Sequence, residues 1–166
     1  MANYELPLLN ATVSSAYRTT GLFYVNTTTG QTRRYQVYEV EFGQTGTLAS
    51  TDVQVQWDVS RFANTAGIAG TSIVPNLLDP GDVSPLCVAF NNLTTEPTNI
   101  TTAGLGLNLK NWAINQRGSY RWRALDDGDQ IVVASAIGQG IAVRELSSAG
   151  TITSMSAVGN MSFIER

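Results

Sequence analysis

Few side chains in this 166-residue sequence could do chemistry, and their types narrow what that chemistry could be. Histidine is absent, which removes imidazole general bases, Ser-His-Asp triads and every His-containing metal site. The one cysteine, Cys87, can form neither an internal disulfide nor a thiolate cluster, and its run Leu86-Cys87-Val88-Ala89-Phe90 reads as a small buried residue in a strand. Glu39 and Glu41 share a strand parity, about 7 Å apart, near the spacing of glycosidase carboxylates. Two glutamates on one strand face are more often a wet face or partners for an arginine strand. Asp126, Asp127 and Asp129 surround Gly128 and suggest a calcium loop, but the further oxygen ligands and the bidentate Glu of an EF-hand are missing. A solvated hairpin turn is the reading that remains. No catalytic residue, metal or cofactor is therefore expected.

Arg117, Tyr120, Arg121, Trp122 and Arg123 form the one basic and aromatic cluster, a composition that suits single-stranded nucleic acid or sugars. Alternation favours something plainer. Tyr120, Trp122 and Ala124 share one face and are expected in the core, while Arg121 and Arg123 cross the other face or meet a protein. A net charge of −3 and a pI near 4.8 supply no global field for a phosphate backbone, so nucleic acid is not expected as a partner. If instead Trp57, Trp112 or Trp122 lay exposed in a groove, they would be the stacking platforms of a carbohydrate-binding module. Sequons at Asn10, Asn26, Asn92, Asn99 and Asn160 follow from a composition rich in Asn, Ser and Thr.

The elements that must position these residues are strands. Val53, Val55, Trp57 and Val59 alternate with Asp52, Gln54, Gln56, Asp58 and Ser60, giving one dry face and one wet face. From Arg34 to Phe42, Tyr38, Val40 and Phe42 share a face, whereas Tyr35 and Val37 break the pattern, so this strand is expected to be covered on both sides. Leu105, Leu107 and Leu109 have one parity, and Trp112 and Ile114 the other, which predicts a bulge near Lys110-Asn111. Ser119–Ala124 and Gln130–Ala134 flank a tight turn for which Gly128 would supply a positive φ. Gly138 and Gly140 bracket another turn before Ile141–Leu146, and an alternating segment from Thr151 to Ile164 ends the chain. About eight to ten antiparallel strands in a sandwich or barrel are expected, with 64–84 a long loop holding at most a short strand at Ser72–Val74. Charged residues are 14% of the chain against a usual value of about 25%, yet 43% of it is hydrophobic, so it folds as a single domain. No stretch approaches 18 apolar residues and no leader-like segment opens the sequence, so synthesis in a cytoplasm and no membrane partner are expected.

From about Gln31 onward the sequence resembles the small jelly-roll head decoration, or cement, proteins of tailed bacteriophages. The resemblance rests on Thr32-Arg33-Arg34 leading into Tyr38-Glu39-Val40-Glu41-Phe42-Gly43, on Leu78-Asp79-Pro80, on Glu96-Pro97-Thr98, and above all on Asn115-Gln116-Arg117-Gly118-Ser119-Tyr120-Arg121-Trp122. The turns at Asp126-Asp127-Gly128-Asp129 and Gly138-Gln139-Gly140-Ile141 depart from the family's pattern. The resemblance implies a single-domain all-β jelly-roll sandwich over 17–166 with no enzymatic activity. It further implies a place on the outer surface of a phage head, with the major capsid protein and itself, as a homotrimer, for partners. Residues 1–16 then read as an N-terminal arm or edge segment. Its Leu6 and Leu8 join Arg33, Arg34, Arg117, Arg121 and Arg123 as candidates for protein interfaces.

Overall fold

Apolar alternation becomes antiparallel pairing throughout the computed structural model, which describes residues 2–25, 33–63, 67–97, 100, 108–148 and 150–166. The strands in chain order are β1 (Ala2–Asn10), β2 (Arg18–Val25), β3 (Tyr35–Gly46), β4 (Gln54–Phe62), β5 (Ala69–Ile73) and β6 (Asn76–Leu77). They continue with β7 (Cys87–Thr95), β8 (Asn108–Asn115), β9 (Tyr120–Arg123), β10 (Ile131–Val133), β11 (Gly140–Ser147) and β12 (Met155–Glu165). One six-stranded sheet runs β10-β3-β12-β1-β6, with β9 beside β10 on the same side of β3; the other runs β5-β7-β2-β11-β4-β8. Pairing is nested: β1 with β12, β2 with β11, β3 with β9 and β10, and β4 with β8. Early strands that pair with late ones in reverse order, while the chain alternates between two sheets, make a jelly-roll sandwich. The twelve strands among the described residues exceed the eight to ten expected because β1 lies in the segment read as an arm or edge, and β5 and β6 lie in the segment read as a long loop with at most one short strand.

The core between the sheets is aromatic. Phe23 stacks on Phe163 at 4.4 Å and Phe42 on Trp57 at 4.6 Å, each pair bridging the two sheets. Tyr35, Val37, Val40 and Phe42 all enter this core despite their mixed parity. The double covering expected of β3 is replaced by a bulge: Ser162 pairs with Glu39 but Phe163 with Val37, so the extra residue Tyr38 resets the alternation. A bulge also occurs in β8, at Leu109 rather than at Lys110-Asn111, because Lys110 pairs with Val59 and Asn108 with Ser60. Leu109, Trp112 and Ile114 consequently all pack on the core; Leu105 and Leu107 lie outside the described residues.

Of the two readings of the opening segment, arm or edge, the structure shows the edge. Tyr4, Leu6 and Leu8 are buried in the main core, and β1 pairs with β12 from Ala2 to Asn10. Leu6 and Leu8 are thus core residues and not interface contacts. Pro7 lies where β1 has no second neighbour, since β6 covers only Tyr4 and Glu5.

The outer face of the second sheet is dry over its middle strands and wet at Gln54 and along β8. Leu22, Phe62, Leu93, Ile100 and Ala142 form a second small core there, with Tyr24, Ile68 and Phe90 packed against it. Asp58 and Ser60, expected in solvent, are buried on this face, where Asp58 directly opposes Arg144 across the β4-β11 ladder. The pair is bidentate, Nη2 to Oδ2 at 2.7 Å and Nε to Oδ1 at 2.9 Å, and Nη2 also donates to Ser60 Oγ at 3.2 Å. Arg144 Nη1 donates to the Ile100 carbonyl, and the Tyr17 ring lies 4.6 Å from the guanidinium carbon. At the end of β11, buried Glu145 accepts from Asn10 Nδ2 at 2.9 Å and from the Ser14 amide at 3.2 Å.

Two outcomes test this account. Leu6→Ala is expected to cost about 2–5 kcal/mol in denaturant unfolding, as for a core leucine, whereas an arm residue would leave the midpoint unchanged. Burial pushes the Glu145 carboxyl up from 4.5 to about 8, against the opposing pull of its two donors. The folded state therefore binds the extra proton, so this contribution is complete below pH about 4.5 and is lost as pH rises through about 8. Glu145→Gln should flatten the fall in melting temperature across that window; an unchanged pH profile would contradict the assignment.

Candidate functional surface

The sequence places its cations next to carboxylates of the same chain, and the register of β9 against β3 completes the pairing. Arg123 opposes Glu39 and Arg121 opposes Glu41, all on the outer face of the first sheet. Glu39, with a side chain only 15% exposed, takes both arginines: Arg121 Nη2 at 2.8 Å and Arg123 Nε at 3.7 Å. Its carboxylate, through hydrogen bond and charge, holds the Arg121 guanidinium above its ordinary pKa. Arg117, on the turn between β8 and β9, donates to Asp52 at 3.0 Å and draws the Asp52 carboxyl below the usual range. The exposed cations of this edge are therefore oriented, forming a fixed pattern of charge that a partner can read.

Of the other cations singled out, Arg33 lies 4.0 Å from Glu165. Arg34 is exposed and exchanges backbone hydrogen bonds with Arg166, at the far end of β3 from Arg117. These two are not gathered with the β9 arginines.

The aromatic parity holds but its depth does not. Trp122 packs half-buried on the core with Lys110 Nζ 5.4 Å from its ring centroid, while Tyr120 is 39% exposed. β9 is an edge strand of four residues, so Tyr120 and Trp122 line the mouth between the sheets and do not fill the interior. Tyr120 lies 5.5 Å from Trp112, itself half-buried. Trp57 is completely buried, and its indole N–H reaches the Gln44 amide oxygen at 3.0 Å when that amide is turned to satisfy both neighbours. It can offer no face to a sugar, which leaves Trp112 and Trp122 as the stacking candidates.

Two depressions flank β9 on the first sheet. One, at the Arg117 end, has about 410 Å³ and is walled by Glu41, Arg117, Ser119 and Asn160. The other, about 530 Å³, lies between the segments after β6 and after β9. Neither is lined by a tryptophan. The exposed leucines at the second, Leu78 and Leu125, were not singled out from sequence because each stands alone beside turn residues.

The acidic turn is closed by its own side chains. Asp126 Oδ1 accepts from the Gly128 amide at 2.7 Å and the Asp129 amide at 3.2 Å, and Gln130 Nε2 donates to Asp127 Oδ1 at 2.9 Å. Gly128 does not adopt the expected positive φ; its role is clearance, since a Cβ there would stand 3.0 Å from Asp126 Oδ1. Melting curves with EDTA and with excess calcium are expected to coincide, and a calcium-dependent rise of several degrees would overturn this reading of the turn.

No protein-family model matches the chain, and a search of curated proteins returns no match to it.

Proposed function

We propose that this chain is a structural protein of a phage virion, which binds the outside of the assembled head and clamps neighbouring major capsid subunits. The observation that carries the reading is the difference between the two outer faces of the sandwich. The second sheet covers the middle of its outer face with its own small core and leaves β8 exposed at its edge, whereas the first leaves Glu5, Leu9, Glu41, Arg121, Arg123 and Ile164 at the surface in full or in part. On a jelly roll, such an uncovered sheet with tethered charges suits contact with another protein, and the resemblance of residues 31–166 to head decoration proteins supplies the partner.

The mechanism is linkage. A protein that binds only the closed shell stabilises it by mass action. At about 25 cal/mol per Å², a few hundred Å² of apolar contact per copy contributes several kcal/mol before association costs, and a trimer would multiply the effect. Because Glu39 orients Arg121 and Arg123 in advance, little side-chain freedom remains to be lost at the contact.

The test is to add purified protein to undecorated heads of the parent phage. Saturable binding and a higher temperature for shell opening are expected. Arg121→Ala should melt near the parent temperature, as expected for an exposed pair, yet bind heads more weakly, with the difference shrinking in high salt. Protein that neither binds heads nor protects them would remove the reading, and retention on an immobilised glycan with loss in Trp122→Ala would replace it with the carbohydrate-binding one.

A further inference from the structure

We infer that the groove between the segments following β6 and β9 receives an extended segment of the shell subunit in which basic and apolar side chains alternate. This deepens the head-binding reading and rests on it for the identity of the partner. The groove, about 530 Å³, has three neighbouring strands for its floor: Asn3 of β1, Ile164 of β12 and Tyr38, the bulged residue of β3. Its lips are two exposed leucines, Leu78 at 49% and Leu125 at 93%. Leu125 gains almost nothing from its own fold and Leu78 buries only half its surface, so the two together give an apolar side chain of a partner a place to be buried.

The polar groups select the sign of the partner. Asp79, Asp126 and Asp127 line the groove. Asp79 and Asp126 are held only by turn amides, which leave their charges in place. Arg166 approaches Asp127 at 3.7 Å, and Arg123 in the lining leans 3.7 Å from Glu39, so three groove carboxylates face two guanidinium groups and the balance remains acidic. Gln130 Nε2 donates to Asp127 Oδ1 and fixes the position of that carboxylate at the groove. The groove thus presents acceptors and negative charge between apolar lips. Lysine or arginine side chains supply the complementary donors and charge, and a groove that crosses three adjacent antiparallel strands has room for an extended segment.

The probes are a labelled octapeptide alternating arginine and leucine, its counterpart with glutamate for arginine, and undecorated heads. The parent protein is expected to bind the arginine peptide and not the glutamate peptide, with affinity falling as salt rises. Leu125→Ser and Asp127→Lys change exposed side chains and should leave folding intact while weakening both peptide and head binding at least about tenfold. Ser72→Lys, on the exposed edge strand β5, is the charge control and should do neither. Equal binding of the two peptides, or normal binding by both groove variants, overturns the inference. If heads bind the parent and the groove variants alike, the groove fails and the head-binding reading stands; if the peptide pattern holds but heads do not bind, the reading fails and the groove stands. Dissociation of an oligomer by Leu125→Ser without peptide binding would assign the groove to a second copy of the chain and overturn it.

Discussion

The register of the second sheet is fixed by a charge that has only one place to go. Arg144 and Asp58 face each other across β11 and β4 with both side chains almost wholly buried. Sliding either strand by one residue would turn one of these charges into the aromatic core and strand its partner, a loss of several kcal/mol that no hydrophobic contact nearby could offset. The same guanidinium holds the Ile100 carbonyl, so a residue of the outer-face core is fastened by the group that sets the ladder beneath it. With β4 and β11 locked, β8 and β2 take their places on either side, and the nested pairing of the jelly roll follows.

The first sheet meets a different constraint. Its strands must deliver core residues of both parities, and it does so by bulging at Tyr38. That single added residue lets Tyr35 and Val37 join Val40 and Phe42 inside, and it brings Glu39 under Arg121 and Arg123. Core packing and the charge pattern on the outer face thus share one irregularity. At the groove, the same residue forms part of the floor.

Much of this was legible in the sequence where one face of a strand is dry. Val53, Val55, Trp57 and Val59 alternate as read, and all are buried. Glu39 was readable as a partner for an arginine strand. Residues 1–16 read as an arm or edge segment, and β1 is the edge, its second side covered only at Tyr4 and Glu5. What misled was local chemistry overridden by tertiary context. Asp58 and Ser60 look like surface residues, and only Arg144, 86 positions from Asp58 in sequence, makes their burial tolerable. Tyr120 looked like core because parity carries no information about distance from the edge of a sheet. Leu78 and Leu125 belong to no periodic run, so their meeting across one groove is a property of the fold alone.

The unequal finish of the two outer faces has a bearing on coverage. A molecule with similar adhesive surfaces on both sides could stack copy upon copy without limit, as heterologous contacts do when they fail to close. Here Leu22, Phe62, Leu93, Ile100 and Ala142 close the middle of the second sheet's outer face, so the two sides of the sandwich are not equivalent. On the proposed head-binding role, a molecule seated by its first sheet would not offer the next arrival the face it needs. Such a molecule would then cover a shell in a single layer.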